Sequence, residues 1–445
     1  MSTDNKIADI IKSATLIERQ EQRAVFVSFA LVFVLMAAYY MLRLVRDSMA
    51  SDWTNTEISV LWNIQFFLSL MFVAIYGVAV SKIEFRHLVP AVYGFFALSF
   101  VSFHFGGTLV EDPVLLDKGF YLWVSLFSLF HVSVFWSLMA DLYNKEQSKR
   151  LFGFIAVGAS AGAIVGPIVA TVAAQTIGSA SLMLTASLMM LIPLPIVFYL
   201  QFLKRTELHN DQINVDLSHM KIGGNPLAGF RDFFTSPYLI GIAAFILLYT
   251  AISSFTYFEQ TNLLREYDRD QRTQILAMLA LVVNVLTFLL GFFATGRLAT
   301  KLGMPATLAL VPAFMCAALL ILAFAPILTI LLALQVARQA GNYGITRPAR
   351  EMLFTVVPRE SRFKAKPVVD VAIYRGGDAV WSSAFALLTD GLGLGMAAMA
   401  AIGAGIAAVW AGTGLRLGSV FATRNEAVDA EESKDKISPT EYSTN

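Results

Sequence analysis

Four places in the sequence put charged or ionisable side chains inside long apolar runs, and their chemistry has to be explained first. A charged group near the centre of a bilayer costs about 2.5–3.5 kcal/mol, so each needs a partner, water or a purpose. The run ending in YYMLRLVRDSM carries Arg43, Arg46 and Asp47, whose spacing places them on one helical face. His131 lies near the middle of a later run. Gln335, Arg338 and Asn342 form a stripe in another, and Arg375 and Asp378 stand one turn apart in the next. Guanidiniums are planar, permanently charged forks that match carboxylate or phosphate, so the set points to a small anionic substrate. In this reading Arg46 and Arg338 hold the anion, Asp47 and Asp378 set Arg43 and Arg375 as charge partners, and His131 with Tyr257 adds hydrogen bonds. Each residue also has a plainer reading: neutralised helix pairs for the two Arg–Asp sets, snorkelling for Arg46, and a hydrogen-bonded core imidazole for His131. Tyr249, Ser253, Ser254 and Tyr257 add polarity to a fifth run, though such residues commonly bond across helices.

The elements that must position these groups follow from composition. Of 445 residues, 57% are hydrophobic and 15% charged, where a soluble domain averages about 25% charged. Mean hydropathy is +0.64. Twelve apolar runs, each long enough for about 30 Å of hydrocarbon, lie near 24–43, 58–81, 88–108, 119–140, 151–174, 180–203, 237–258, 273–296, 304–325, 327–347, 368–390 and 392–415. None shows the alternating polarity of a barrel strand, so the expected fold is an all-α membrane bundle of twelve helices. The hydrophilic stretch 204–236 divides it into six-helix bundles at 24–203 and 237–416. A segment at 1–23 precedes them, and a charge-mixed tail at 417–445 is expected to be disordered.

Charge sets the orientation. With the N-terminus inside, most Lys and Arg fall in cytoplasmic segments, and the external loops hold only Lys118, Arg265, Arg269 and Arg272. Both termini are therefore expected in the cytoplasm. A formal net charge of +1 gives no overall attraction for nucleic acid, and membrane lipids are the expected macroscopic partner of a monomer. The basic loop after helix 10, from Arg347 to Lys366, has two readings: it gathers anions at the inner mouth, or it only sets topology and touches acidic lipids, and the second is favoured. Trp53, Trp62 and Trp123 are expected to anchor at the interfaces. No zinc helix motif, phosphate loop or nucleophile elbow occurs, so no catalytic residue, metal or cofactor is expected. The single cysteine, Cys316, can form neither an intrachain disulfide nor a thiolate cluster.

Two glycine motifs add detail. GRLATKLG follows helix 8, with Gly296, Leu298, Lys301 and Gly303, and a weaker copy follows helix 2 at Gly77 and Lys82. Helix 5 reads GFIAVGASAGAIVGPIVAT, in which Gly153, Gly162, Gly166 and Pro167 let two backbones approach and bend the helix. The first motif resembles the helix 2–3 loop of the major facilitator superfamily, with Thr300 where that family usually has Asp. The second resembles its helix 5 antiporter motif, with Ala170 and Thr171 in place of the closing glycines. This resemblance implies two six-helix halves related by a pseudo-two-fold, a central cavity lined by helices 1, 4, 7 and 10, and gating roles for both motifs.

AAYYMLRLVRDSM, the stretch from LWVSLFSLFHVS to GAIVGP, LLYTAISSFTYFEQTNLL and RPAREMLFTVVPRESRFKAKPVVDVAIYRGGDAVWS together are similar to bacterial facilitator proteins related to the ATP/ADP translocases. That resemblance implies alternating access and exchange of a phosphorylated anion. The exchangers of that family use buried lysines and glutamates, whereas the buried cations here are arginines, which favours a smaller organic or phosphorylated anion over ATP. A proton-coupled exporter of drugs or metabolites, with Asp378 or His131 titrating, is the alternative. A lipid-modifying membrane enzyme and a non-transporting sensor are further rivals.

Overall fold

The computed structural model describes residues 17–82, 85–208, 210, 236–293, 301–357 and 373–437. Within a membrane every backbone donor and acceptor must be satisfied inside the segment, and the apolar runs meet that demand as helices; among the described residues there is no strand. In order they are α1 (Gln22–Ala50), α2 (Asn55–Lys82), α3 (Phe85–Leu109), α4 (Val114–Leu142), α5 (Lys145–Thr176) and α6 (Gly178–Met189, continued by Pro193–Thr206). Then follow α7 (Pro237–Leu264), α8 (Arg269–Phe293), α9 (Gly303–Phe324), α10 (Leu328–Gly341), α11 (Tyr374–Ala386) and α12 (Met396–Ile437).

Ten of these runs are long and apolar enough to cross a membrane. The other two, α10 and α11, pass into single π-helical turns, Asn342–Thr346 and Leu387–Gly391. In the first, Arg347 N–H bonds the Asn342 carbonyl and Pro348 has no N–H for the next ordinary bond, so the wider turn absorbs the mismatch. The short helix Arg347–Leu353 then continues α10.

Two boundaries differ from expectation. The polar stretch from about residue 420 continues α12 to Ile437 instead of being disordered. Its Ala, Glu and Lys content favours helix, and extending an existing helix avoids the cost of nucleation. α7 runs six residues beyond its apolar stretch, to Leu264. Residues 1–16, most of 204–236, the Gly296 region and residues 358–366 of the basic loop after helix 10 lie outside the described residues.

Large apolar side chains such as Phe67, Leu98 and Phe324 are exposed, as suits helices with a lipid-facing side. The chain forms two compact units. The first contains Met1–Thr54, Asn63–Lys221 and Leu264–Asn284; the second contains Asn55–Trp62, Ile222–Leu263 and Val285–Asn445. Each unit thus takes one segment from the opposite half of the sequence: the first two turns of α2 go to the second, and most of α8 to the first.

In the first unit α1 lies against the glycine face of α5. A Cβ on Gly158 would stand 2.7 Å from the Phe29 carbonyl oxygen, one on Gly166 would stand 2.7 Å from that of Ala37, and one on Gly162 would collide with that of Phe33. Gly153 has open space around it and takes no part in the contact. Pro167 cannot donate to the Ala163 carbonyl one turn earlier; Asn284 of α8 does so instead, with Nδ2 at 2.6 Å. Tyr40 of α1 donates in turn to Asn284 Oδ1 at 3.0 Å. The proline therefore creates an acceptor that fastens three helices together.

The expected external cations gather at one corner of this unit. Arg269 reaches Asp52 and Asp117 at 2.7 Å each, and Arg272, buried, reaches Asp52 at 2.5 Å and the Leu264 carbonyl at 2.9 Å. Arg265 donates to the Trp53 carbonyl at 2.5 Å and Lys118 lies over the Trp53 ring. Trp53 is consequently buried against Tyr121, so the expected interfacial anchor is a core residue. Trp123 is likewise packed among Phe72, Phe95 and Phe96 and donates to Ser99 at 2.7 Å, while Trp62, in the second unit, rests on Tyr257 and Phe258.

In the second unit α7 is wrapped by the other helices. Phe245 and Tyr249 pack on Trp410 of α12, and Phe255 and Phe258 pack on Phe385 of α11. A Cβ on Gly377 would collide with Thr250 Oγ1, so glycine lets α11 sit against α7 at the level of Arg375 and Asp378.

Candidate functional site

The first unit holds Arg43, Arg46 and Asp47 on α1 and His131 on α4. Arg46 grips Asp47 Oδ1 with Nε at 2.9 Å and Nη2 at 2.6 Å, bonds Ser125 Oγ of α4 at 3.0 Å and lies over the Tyr121 ring. Arg43 reaches the other carboxylate oxygen at 3.5 Å, and its side chain is 29% exposed against 13% for Arg46. This corrects the expected pairing: Asp47 is held chiefly by Arg46, so Arg43, not Arg46, has the looser hold on the carboxylate. The i,i+4 geometry permits the Arg43 contact, but the adjacent Arg46 folds back onto the carboxylate because Ser125 and Tyr121 fix its far side. Two guanidiniums thus share one carboxylate.

His131 is buried. Its ring stacks on Tyr39 with centroids 4.2 Å apart, and Nδ1 lies 3.2 Å from the Phe127 carbonyl. Nε2 is buried with no hydrogen-bond partner among the described residues. Tyr93 donates to the His131 carbonyl at 2.9 Å, fixing the backbone there.

The second unit holds a different arrangement. Arg338 of α10 is 5% exposed. Its Nε and Nη2 donate to Gln335 Oε1 at 2.9 and 2.8 Å, and Nη1 donates to Ser253 Oγ at 2.9 Å and Tyr249 OH at 3.3 Å, both on α7. Gln335 is fixed in turn by donating from Nε2 to Gln260 Oε1 at 2.7 Å and the Thr256 carbonyl at 3.1 Å. Residues 249, 253, 256 and 260 recur at helical spacing, so one face of α7 supplies the whole bed. Every partner is neutral, and among the described residues no carboxylate lies within ion-pair distance of Arg338. Asn342, buried one turn further on, opens the π turn of α10. The guanidinium is oriented and largely desolvated; its direct partners are all neutral, and Asp378 of α11 lies within electrostatic reach of it without forming an ion pair.

Arg375 and Asp378 make only a long contact of 3.9 Å. Tyr257 packs beside Trp62, with ring centroids 5.2 Å apart. Gly303 has φ +74, the left-handed region natural to glycine, and turns the chain into α9 behind exposed Lys301. Gly296 lies outside the described residues.

The profile of the Major Facilitator Superfamily matches residues 24–360, more than half of the chain. This protein belongs to that superfamily. Membership makes it a membrane transporter in class, and the twelve-helix fold agrees. Among solved structures, it is similar to a bacterial homologue of the iron transporter ferroportin in an inward-facing state, at 12% identity and TM-score 0.65, covering 89% of this chain and 99% of that one. A bacterial homologue of the human lysosomal transporter Spinster, inward-facing and unoccupied, aligns at 14% identity and TM-score 0.56 over 91% and 98%. The nucleoside transporter NupG aligns at 12% identity and TM-score 0.57 over 91% and 100%. At these identities the likeness concerns the fold alone. No protein of curated function matches this chain.

For this facilitator, sequence reasoning missed Glu259 and Gln260. They follow the apolar stretch that ended at 258, so they read as loop, but α7 continues and buries both. The signal was the polar cluster FEQTN directly after the run, at a spacing that continues the Tyr249–Ser253 face. Asn284 was also missed: only its partner, the proline-freed carbonyl on α5, explains it.

Proposed function

We propose that this facilitator-superfamily protein is a secondary transporter that moves an organic or phosphorylated anion by alternating access, probed first with nucleotides and phosphosugars. One observation carries the reading: every direct partner of buried Arg338 is neutral, so no carboxylate occupies its fork and a ligand carboxylate or phosphate can pair with it. Asn342, one turn away, is a neutral group suited to ligand oxygens. In the first unit, Arg43 is the cation less tightly held by Asp47, and His131 Nε2 offers a hydrogen bond.

The sequence similarity to facilitators related to the ATP/ADP translocases, together with Gly162 and Gly166 packed on α1, supports exchange as the mode of transport. The distribution of Lys and Arg supports cytoplasmic termini, and the sequence similarity to bacterial facilitators supports a bacterial inner membrane. Purified protein is screened by thermal shift against nucleotides, phosphosugars and carboxylates. An anion that binds the folded state raises Tm by mass action, and Arg338→Ala removes that shift while the unliganded protein still melts cooperatively. A panel with no stabilising anion, or equal shifts in both proteins, contradicts the reading.

A further inference from the structure

The anion reading gives Asp378 of α11 nothing to do. Its ion pair with Arg375, one turn earlier, spans 3.9 Å, beyond hydrogen-bonding distance, and the two side chains are 19% and 25% exposed. Closed pairs in this molecule look different: Arg46–Asp47 draws in to 2.6 Å, Arg150–Glu21 to 2.8 Å and Lys204–Asp141 to 3.1 Å. The Asp378 carboxylate is held loosely and has room for a further donor. Asp390, the next acid along the chain, is already committed to Asn55 and Thr56.

α7 sets where Asp378 stands relative to Arg338. Gly377 lets α11 sit against Thr250 of α7. Tyr374, on α11, lies with its ring centroid 5.9 Å from that of Tyr249, whose hydroxyl accepts from Arg338 Nη1 at 3.3 Å. Asp378 follows Tyr374 by one helical turn and is within electrostatic reach of both Tyr374 and Arg338. A guanidinium with neutral direct partners and a loosely held carboxylate thus meet around two phenols within one unit.

Opposite charges within reach of each other, yet not joined, bear a desolvation cost that a direct pair would offset. A ligand of both signs offsets it instead, its carboxylate or phosphate on Arg338 and its ammonium on Asp378. A plain anion satisfies Arg338 alone and is repelled by Asp378. We propose that the ligand of this site is zwitterionic, an organic anion that also carries a primary ammonium, and that Asp378 selects it by pairing with that group. The inference rests on the anion reading of Arg338 and narrows it to amine-bearing carboxylates and phosphates.

Ligand pairs that differ by the ammonium group test it: glucosamine 6-phosphate against glucose 6-phosphate, glutamate against glutarate, and phosphoethanolamine against ethyl phosphate. Each is titrated by thermal shift on purified full-length protein. In at least one pair the amine-bearing member is expected to bind the wild type about tenfold more tightly than its partner, a ratio that needs no variant to read. Asp378→Asn, nearly isosteric, is expected to erase the ratio by weakening the amine-bearing member alone, whereas Arg338→Ala loses both members. Asp378→Glu, which keeps the charge but moves it, is expected to narrow the ratio and serves if the Asn variant does not melt cooperatively. Amine-free members that bind as well as their partners overturn the inference and leave the anion reading standing. A ratio undiminished in either folded Asp378 variant overturns it as well. No shift with any member of any pair contradicts both readings.

Discussion

Arg46 and Arg338 occupy similar positions in the sequence argument, each an arginine deep in an apolar run, yet their surroundings differ in kind. Arg46 is closed onto a carboxylate at 2.6 Å, backed by Ser125 and Tyr121. Arg338 is held just as firmly, by Gln335, Ser253 and Tyr249, but by dipoles alone. The first arrangement cancels a charge and ties α1 to α4. The second leaves the guanidinium without a direct ion pair, with Asp378 only within electrostatic reach. A buried arginine therefore signals ligand recognition only when its partners are known, and one carboxamide oxygen in place of a carboxylate separates the two roles.

The most forceful way to break the contrast is to make the second site resemble the first. Gln335→Glu puts a carboxylate where Oε1 already lies 2.8 Å from Arg338. It is expected to weaken binding of the best stabilising anion by about 100-fold, equivalent to ~2.7 kcal/mol, in a competition thermal-shift titration. Retained affinity would show that local neutrality is not what matters. The converse change, Asp47→Asn, leaves two guanidiniums facing an amide; destabilisation by about 2–3 kcal/mol in denaturant melts is expected, below the range for a fully buried pair because Arg43 is partly exposed.

Two smaller effects sharpen how the first site is held. Asn284→Ala orphans the Ala163 carbonyl that Pro167 left free, and a loss of about 1–2 kcal/mol follows from an unsatisfied buried acceptor. Restoring an N–H with Pro167→Ala in the same chain should recover part of that loss, which a general packing defect would not. Arg43→Ala, whose contact with Asp47 is a long 3.5 Å from a partly exposed side chain, is expected to change stability by less than about 1 kcal/mol.

Hydropathy was enough to read the twelve helices, because burying a backbone in lipid leaves no alternative to internal hydrogen bonds. The α5 glycines and the Gln335–Arg338–Asn342 stripe were also readable, since one residue type at one spacing has a single geometric consequence. What failed were features set by a partner distant in sequence. Asp47 lies within reach of two arginines, and only Ser125 and Tyr121 on α4 decide which holds it. Trp53 reads as an interfacial anchor until Arg265, Lys118 and Tyr121 surround it. Glu259 was assigned to a loop because hydropathy ends at residue 258, whereas packing against α11 and α2 carries the helix to Leu264.

The central claim is that Arg338, unlike Arg46, reads the anion with a fork that no carboxylate occupies. It is tested most directly by titrating the best stabilising anion against wild type, Arg338→Gln and Arg46→Gln and reading apparent affinity from the Tm shift. The account predicts a loss of about 100-fold for Arg338→Gln and less than about tenfold for Arg46→Gln. Equal losses, or the larger loss at Arg46, would contradict it.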